Sequence, residues 1–118
     1  MGAGLMHEIG LMQAALSVAL DHAQTQGARQ IHRLQLQVGE LSGVELDALA
    51  FAFDVVSSGT LAETAELELI PVPASCYCSS CQQMFQPLDR VYECPCCHQL
   101  SADIRQGKAL ELTSLEIS

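Results

Sequence analysis

Cys76-Tyr77-Cys78-Ser79-Ser80-Cys81, followed after twelve residues by Cys94-Pro95-Cys96-Cys97-His98, is the stretch on which the organisation of this chain turns. All six cysteines fall within it. Cysteines that staple a whole fold are spread along a sequence, whereas cysteines that bind a metal are clustered. Two C-x-x-C pairs can be drawn, Cys78 with Cys81 and Cys94 with Cys97. A tight turn between two cysteines aims both sulfurs at one point, and two such knuckles together give the tetrahedral thiolate set that suits zinc. Cys76 competes with Cys78 for that role, and Cys96 or His98 competes with Cys97. The two-residue separation favours Cys78, Cys81, Cys94 and Cys97. The segment holds few bulky apolar groups, so metal binding must supply much of its folding energy.

Working outward, Pro71 and Pro73 mark a linker into this module, which is taken as residues 75–107. Upstream, Met12, Leu16, Ala19, Leu20 and Ala23 recur at helical spacing and predict an amphipathic helix over about Ile9 to Ala23, ended near Gly27. From Ile31 to Val38 the pattern alternates, with Leu34, Leu36 and Val38 on one face, which predicts a half-buried strand. Ser42-Gly43-Val44-Glu45 reads as a capping box for a second helix that buries Leu46, Leu49, Phe53 and Val56. Glu66 to Ile70 predicts a second strand, and Ala109 to Ile117 a third. In that last strand the apolar phase changes between Leu112 and Leu115, so a bulge is expected near Thr113–Ser114. The predicted fold is α+β: two helices on a three-stranded mixed sheet, formed by residues 1–74 together with 108–118. A four-cysteine, zinc-ribbon-like module is inserted before the last strand.

Five basic against 14 acidic side chains give a formal charge of −9 in 118 residues, enough length for one small domain carrying a smaller module. This balance opposes nucleic acid or an anionic membrane as a partner. The module itself carries only Arg90 and Arg105 against Asp89, Glu93 and Asp103, which counts against a nucleic-acid-binding ribbon. Apolar residues make up 49%, sufficient for a core, and that core must be aliphatic because there is no Trp and only three Phe. No apolar run is long enough for a transmembrane helix, and the N-terminus lacks the features of a secretory signal, so a cytoplasmic location is expected. There thiols stay reduced, which disfavours disulfides.

Met6-His7-Glu8 precedes the first predicted helix. A neutral imidazole suits nickel, copper or zinc, and an adjacent carboxylate and backbone amides would suit Ni(II). Taken alone, a His beside a Glu at a helix start is far more often an exposed pair, with the acid favoured by the helix dipole. His22 and His32 read as a helix-terminal and an outer-strand residue. No nucleophile–base arrangement or phosphate-binding loop is present in the sequence, so an enzyme is not expected.

The chain resembles the HypA/HybF hydrogenase-maturation factors, nickel metallochaperones of nickel–iron hydrogenase assembly. The resemblance runs from Met6 to the C-terminus. It rests on Met6-His7-Glu8, Val38-Gly39-Glu40-Leu41-Ser42, Phe51-Ala52-Phe53, Cys78-x-x-Cys81-x-x-x-Phe85, Cys94-Pro95-x-Cys97, and Leu110-Glu111-Leu112 leading to Ile117. It implies that His7 is the indispensable Ni(II) ligand, with Glu8 in support and Met6 and Glu45 as further candidates. It also implies that the four cysteines hold a structural zinc. The implied partners are a GTPase accessory protein and the hydrogenase large subunit; homodimer formation is left open. In the family the methionine is residue 1 and its amino group helps to bind nickel, whereas here Met1 to Leu5 precede it. Either translation starts at Met6 or the nickel site is altered. The competing expectation is a zinc-stabilised protein–protein adaptor that binds no nickel in use. The extra thiols Cys76 and Cys96 also admit a redox-responsive zinc site.

Overall fold

The computed structural model describes residues 2–88 and 91–118, residues 2–5 by their backbone alone. Met1, and the Asp89–Arg90 pair weighed above in the module's charge, lie outside the described residues. The elements are α1 (Gly2–Thr25), β1 (Ile31–Gly39), a 3-10 turn (Glu40–Ser42), α2 (Leu46–Val56), β2 (Glu66–Val72), β3 (Ser75–Cys78), β4 (Gln83–Phe85), β5 (Ile104–Gln106) and β6 (Leu110–Ile117).

The first sheet has the order β2-β1-β6, with β1 parallel to β2 and antiparallel to β6, so it is mixed as predicted. Parallel neighbours need a crossover, and α2 supplies it. Both helices cover one face. Leu34, Leu36 and Val38 point into it and join Met12, Leu16, Ala19 and Ala23 of α1 and Leu49, Ala52 and Phe53 of α2. From the flanking strands come Leu67, Leu69, Leu110, Leu112, Leu115 and Ile117. The opposite face is polar, and there Arg33 of β1 bridges Glu68 of β2 and Glu116 of β6, the latter at 3.4 Å. The expected bulge is present: Gln35 pairs with Ser114 and Leu36 with Leu112, which skips Thr113 and returns Leu115 and Ile117 to the core side.

α1 ends as its sequence requires. Gly27 adopts φ +69°, the Ala28 amide donates to the Ala23 carbonyl and the Gly27 amide to that of Gln24. This is a Schellman ending. β2 runs through Pro71 to Val72, beyond the predicted Ile70. The proline is tolerated because β2 is an edge strand and needs no donor on its outer side.

Three local expectations are corrected. α1 begins at Gly2 and not near Ile9, so Met6-His7-Glu8 lies inside the helix. Ser42 and Glu45 form no capping box. Glu45 is itself the N-cap residue and makes no side-chain cap, while the Ser42 hydroxyl donates to the Gly39 carbonyl within the preceding 3-10 turn. The first residue of α2, Leu46, is 38% exposed and thus outside the core. The α2 start is satisfied from a distance: Glu8, 1% exposed, accepts the Glu45 amide on Oε2 at 2.8 Å.

The second sheet has the order β4-β3-β5 and its own small cluster of Cys76, Cys78, Phe85 and Cys94. The molecule measures 53 × 34 × 17 Å with a radius of gyration of 17.1 Å. A single compact body of this length would have a radius of about 13.5 Å. The excess accompanies two hydrophobic clusters that share no residue. No helix among the described residues is long and apolar enough to cross a membrane.

Since one carboxylate caps α2, Glu8→Ala is expected to lower stability by about 1–2 kcal/mol in urea denaturation. Glu8→Gln, which retains an acceptor oxygen, is expected to lower it less.

Candidate metal centre

β3 begins the cysteine module and explains which of its cysteines converge. Cys76 and Cys78 are two residues apart on a strand and share its inward face, both buried. Cys76 stands opposite Phe85 and next to Ile104, and so becomes part of the module's small core. Cys78 lies at the strand's end, where the chain turns, and Cys81 follows that turn. Gln82 takes φ +54° just after it. On the second knuckle the His98 amide donates to the Cys94 carbonyl, and His98 takes φ +64°.

The four sulfurs of Cys78, Cys81, Cys94 and Cys97 all lie within 4.8 Å of one another. The Cys78 and Cys97 sulfurs are 3.5 Å apart and those of Cys81 and Cys94 4.0 Å. A tetrahedron of Zn–S bonds of about 2.3 Å has sulfur–sulfur edges of about 3.8 Å. The set therefore lies within about 1 Å of the edges that a tetrahedral thiophilic dication requires. All six cysteines are free thiols. The alternatives raised by the sequence stand apart from this group. Cys96 is exposed, Cys76 faces the core, and His98 is 72% exposed with Nδ1 3.0 Å from Glu93 Oε2.

The thiols resist simultaneous ionisation. The Cys94 sulfur receives the backbone amides of Cys97 and Cys96, and its pKa is lowered to about 7. Cys81 is pushed up to about 12 by its hydrogen bond to Cys97, by desolvation and by the other neighbouring sulfurs. At Cys97 the Gln99 amide favours the thiolate, but desolvation and the Cys78 sulfur outweigh it and the pKa is raised. Without a cation Cys94 carries charge readily, while Cys81 and Cys97 do not. A dication removes that conflict. Around the knuckles, Arg105 holds Asp103 through two 2.7 Å bonds and lies 4.5 Å above the Tyr77 ring, which ties β5 to β3.

The N-terminal candidates are not gathered in the same way. Successive helical residues point about 100° apart, and here His7 faces out while Glu8 is buried. His7 opens onto a groove of about 620 Å³ between α1 and β6, whose polar lining includes Ser42, Lys108 and Glu111. Met6 is 71% exposed and the Glu45 side chain is exposed. Among the described residues, only the four cysteines bring three or more ligating groups together. Glu8 nonetheless has an unusual environment: its Oε1 is buried with no hydrogen-bond partner among the described residues. This feature and the Glu8–Glu45 contact escape sequence reading, because they join residues 37 positions apart with no local pattern.

The family model "Hydrogenase/urease nickel incorporation, metallochaperone, hypA" matches residues 6–117. The hydrogenase maturation factor HypA of a Picosynechococcus species is 46% identical over 112 residues, covering 95% of this chain and 99% of that protein. The corresponding factor of Klebsiella pneumoniae is 40% identical over 113 residues, with 95% and 99% covered. The solution structure of the Ni metallochaperone HypA from Helicobacter pylori superposes with a TM-score of 0.71 at 26% identity, covering 93% of this chain and 96% of that one. With its fold, its four converging cysteines and these matches along nearly its whole length, the chain belongs to the HypA family of hydrogenase and urease nickel-incorporation metallochaperones.

Proposed function

We propose that this chain is a non-enzymatic Ni(II) carrier. It takes up the ion at His7 with Glu8 in support, and Met6 and Glu45 are further candidate ligands. It passes the ion by ligand exchange to the large subunit of a nickel–iron hydrogenase, in the cytoplasm and together with a GTPase accessory protein. Cys78, Cys81, Cys94 and Cys97 would hold a structural zinc in the module of residues 75–107, apart from the unit formed by residues 1–74 and 108–118. The observation that carries the nickel reading is the Oε1 atom of Glu8, a buried carboxylate oxygen with no partner among the described residues and next in sequence to an exposed imidazole. Such an atom is costly to bury and is satisfied by a cation. The fully thiolate set supports a structural zinc, since it leaves no open coordination position.

The helical placement of His7 sets a condition on this carrier. Within a helix starting at Gly2, the amides of His7 and Glu8 donate backward to the Ala3 and Gly4 carbonyls. Nickel must then be held by side chains alone or unwind the first turns. A chain beginning at Met6 would leave these amides free at the helix start and would offer its terminal amine nearby. An adaptor reading is favoured by Phe51 and Val55, 53% and 51% exposed one turn apart on α2, which offer an apolar docking stripe.

Calorimetric Ni(II) titration distinguishes the two readings. The form beginning at Met6 is expected to bind one equivalent at least about tenfold more tightly than the full chain, from the added amine and amide donors. His7→Ala is expected to abolish that site. If neither form takes up nickel, or if His7→Ala binds as tightly as the parent, the adaptor reading replaces the carrier.

Zinc has its own readouts. Because Cys81 and Cys97 have raised pKa values, zinc binding near pH 7 is expected to release at least two protons, and the apparent affinity should fall as pH falls. Titration in buffers of different ionisation enthalpy measures this. Chelation should abolish hydrogen-exchange protection around Cys76 to Ile104 while Leu34 and Leu36 keep theirs, since the two hydrophobic clusters are separate.

A further inference from the structure

The hydrophobic cluster of the helix/sheet unit and that of the cysteine module share no residue, so burial does not set the angle between the two bodies. What joins them is a two-stranded neck. The chain leaves β2 through Pro73 and Ala74 and returns from β5 through Gly107 to Ala109, with Ser75 paired to Gln106 at the module's end. The segment after β1 lies against this neck. The Leu41 amide donates to the Gly107 carbonyl at 2.8 Å and the Gly39 amide to that of Ala109 at 3.0 Å, which fixes the returning strand. The outgoing strand is fixed by a side chain: Glu40 Oε1 accepts the Ala74 amide at 2.8 Å.

The contact is close because two glycines permit it. A Cβ at Gly39 would come within 2.5 Å of the Gly107 carbonyl carbon, and one at Gly107 within 2.6 Å of the Pro73 oxygen. Gly107 has φ +80° and is the one glycine in the neck, so it is also the natural pivot. Ala74 is 1% exposed yet belongs to neither cluster. Its amide is buried and needs a partner. With both strands held, rotation about Gly107 is blocked. Without the Glu40 contact, the outgoing strand is held by the Val72–Gly39 pair and the 3.5 Å Gln106–Pro73 bond, and the Ala74 amide is left free.

We propose that Glu40 is a latch: by holding the Ala74 amide it locks the cysteine module at a fixed angle to the helix/sheet unit, so that the two present one rigid surface. Glu40 itself is exposed, so burial of its side chain does not account for its position. This assignment is independent of where nickel binds.

The test is ¹⁵N relaxation on the full, zinc-loaded chain. In the parent, amides of α1 and of β3 to β5 should share one rotational correlation time. Glu40→Ala should split it, with a shorter time for the module, at unchanged zinc content. Glu40→Gln keeps an acceptor oxygen of the same reach and should restore the single time. Glu40→Asp, one methylene short, should split it and serves in place of the alanine variant if that one fails to fold. A single correlation time in both shortened variants overturns the latch. So does a Glu40→Gln protein that tumbles in two parts, or loss of zinc in the shortened variants, which would assign Glu40 to the metal centre instead.

Discussion

The close crossing of the Gly39 and Gly107 backbones is the constraint on which the arrangement of this molecule depends. At that point three segments meet: the end of the central strand, the outgoing linker and the returning one. No side chain fits between them, so the positions are closed to any residue with a Cβ. The same short segment that makes this crossing, Gly39 to Glu45, also forms the 3-10 turn that aims α2, and its last amide is taken by Glu8. This one segment thus touches the start of α1, the start of α2 and the root of the cysteine module. The chain builds two hydrophobic clusters that share no residue, and the backbone bonds at the crossing together with the Glu40 contact relate them.

The cysteine centre shows a different economy. Its sulfurs are held at nearly the spacing a tetrahedral dication requires, while Cys81 and Cys97 resist charging on their own. Geometry is therefore prepared in advance and electrostatic balance is left to the ion. Cys94, steadied by two backbone amides, is the sulfur that first offers a negative charge. The exposed thiol of Cys96 and the His98–Glu93 pair sit at the rim and take no part in the four-sulfur group.

Much of this was legible in the residues. The helical and alternating periodicities located both helices and the three strands of the first sheet, because burial on one face imposes those repeats directly. The change of phase at Thr113 revealed a bulge for the same reason. The two-residue cysteine spacing selected the four of six thiols that converge, since a knuckle is a local structure. What failed was non-local. Ser42 and Glu45 match a capping box in spelling, but the helix starts later than that spelling implies and its cap comes from Glu8, 37 positions away. The start of α1 was missed because Gly2 to Leu5 carry no amphipathic signal, although the helix runs through them. The short strands β4 and β5 were not foreseen; they exist through pairing with β3 and have no pattern of their own.

Pro71 has a further consequence. It stands on the flank of the first sheet, paired to Val38 on the inner side, and it has no amide hydrogen to offer on the outer one. A stray polypeptide trying to zip onto that margin meets a gap in the ladder. An edge interrupted in this way is blunted against strand-to-strand pairing and the fibrous aggregates it leads to.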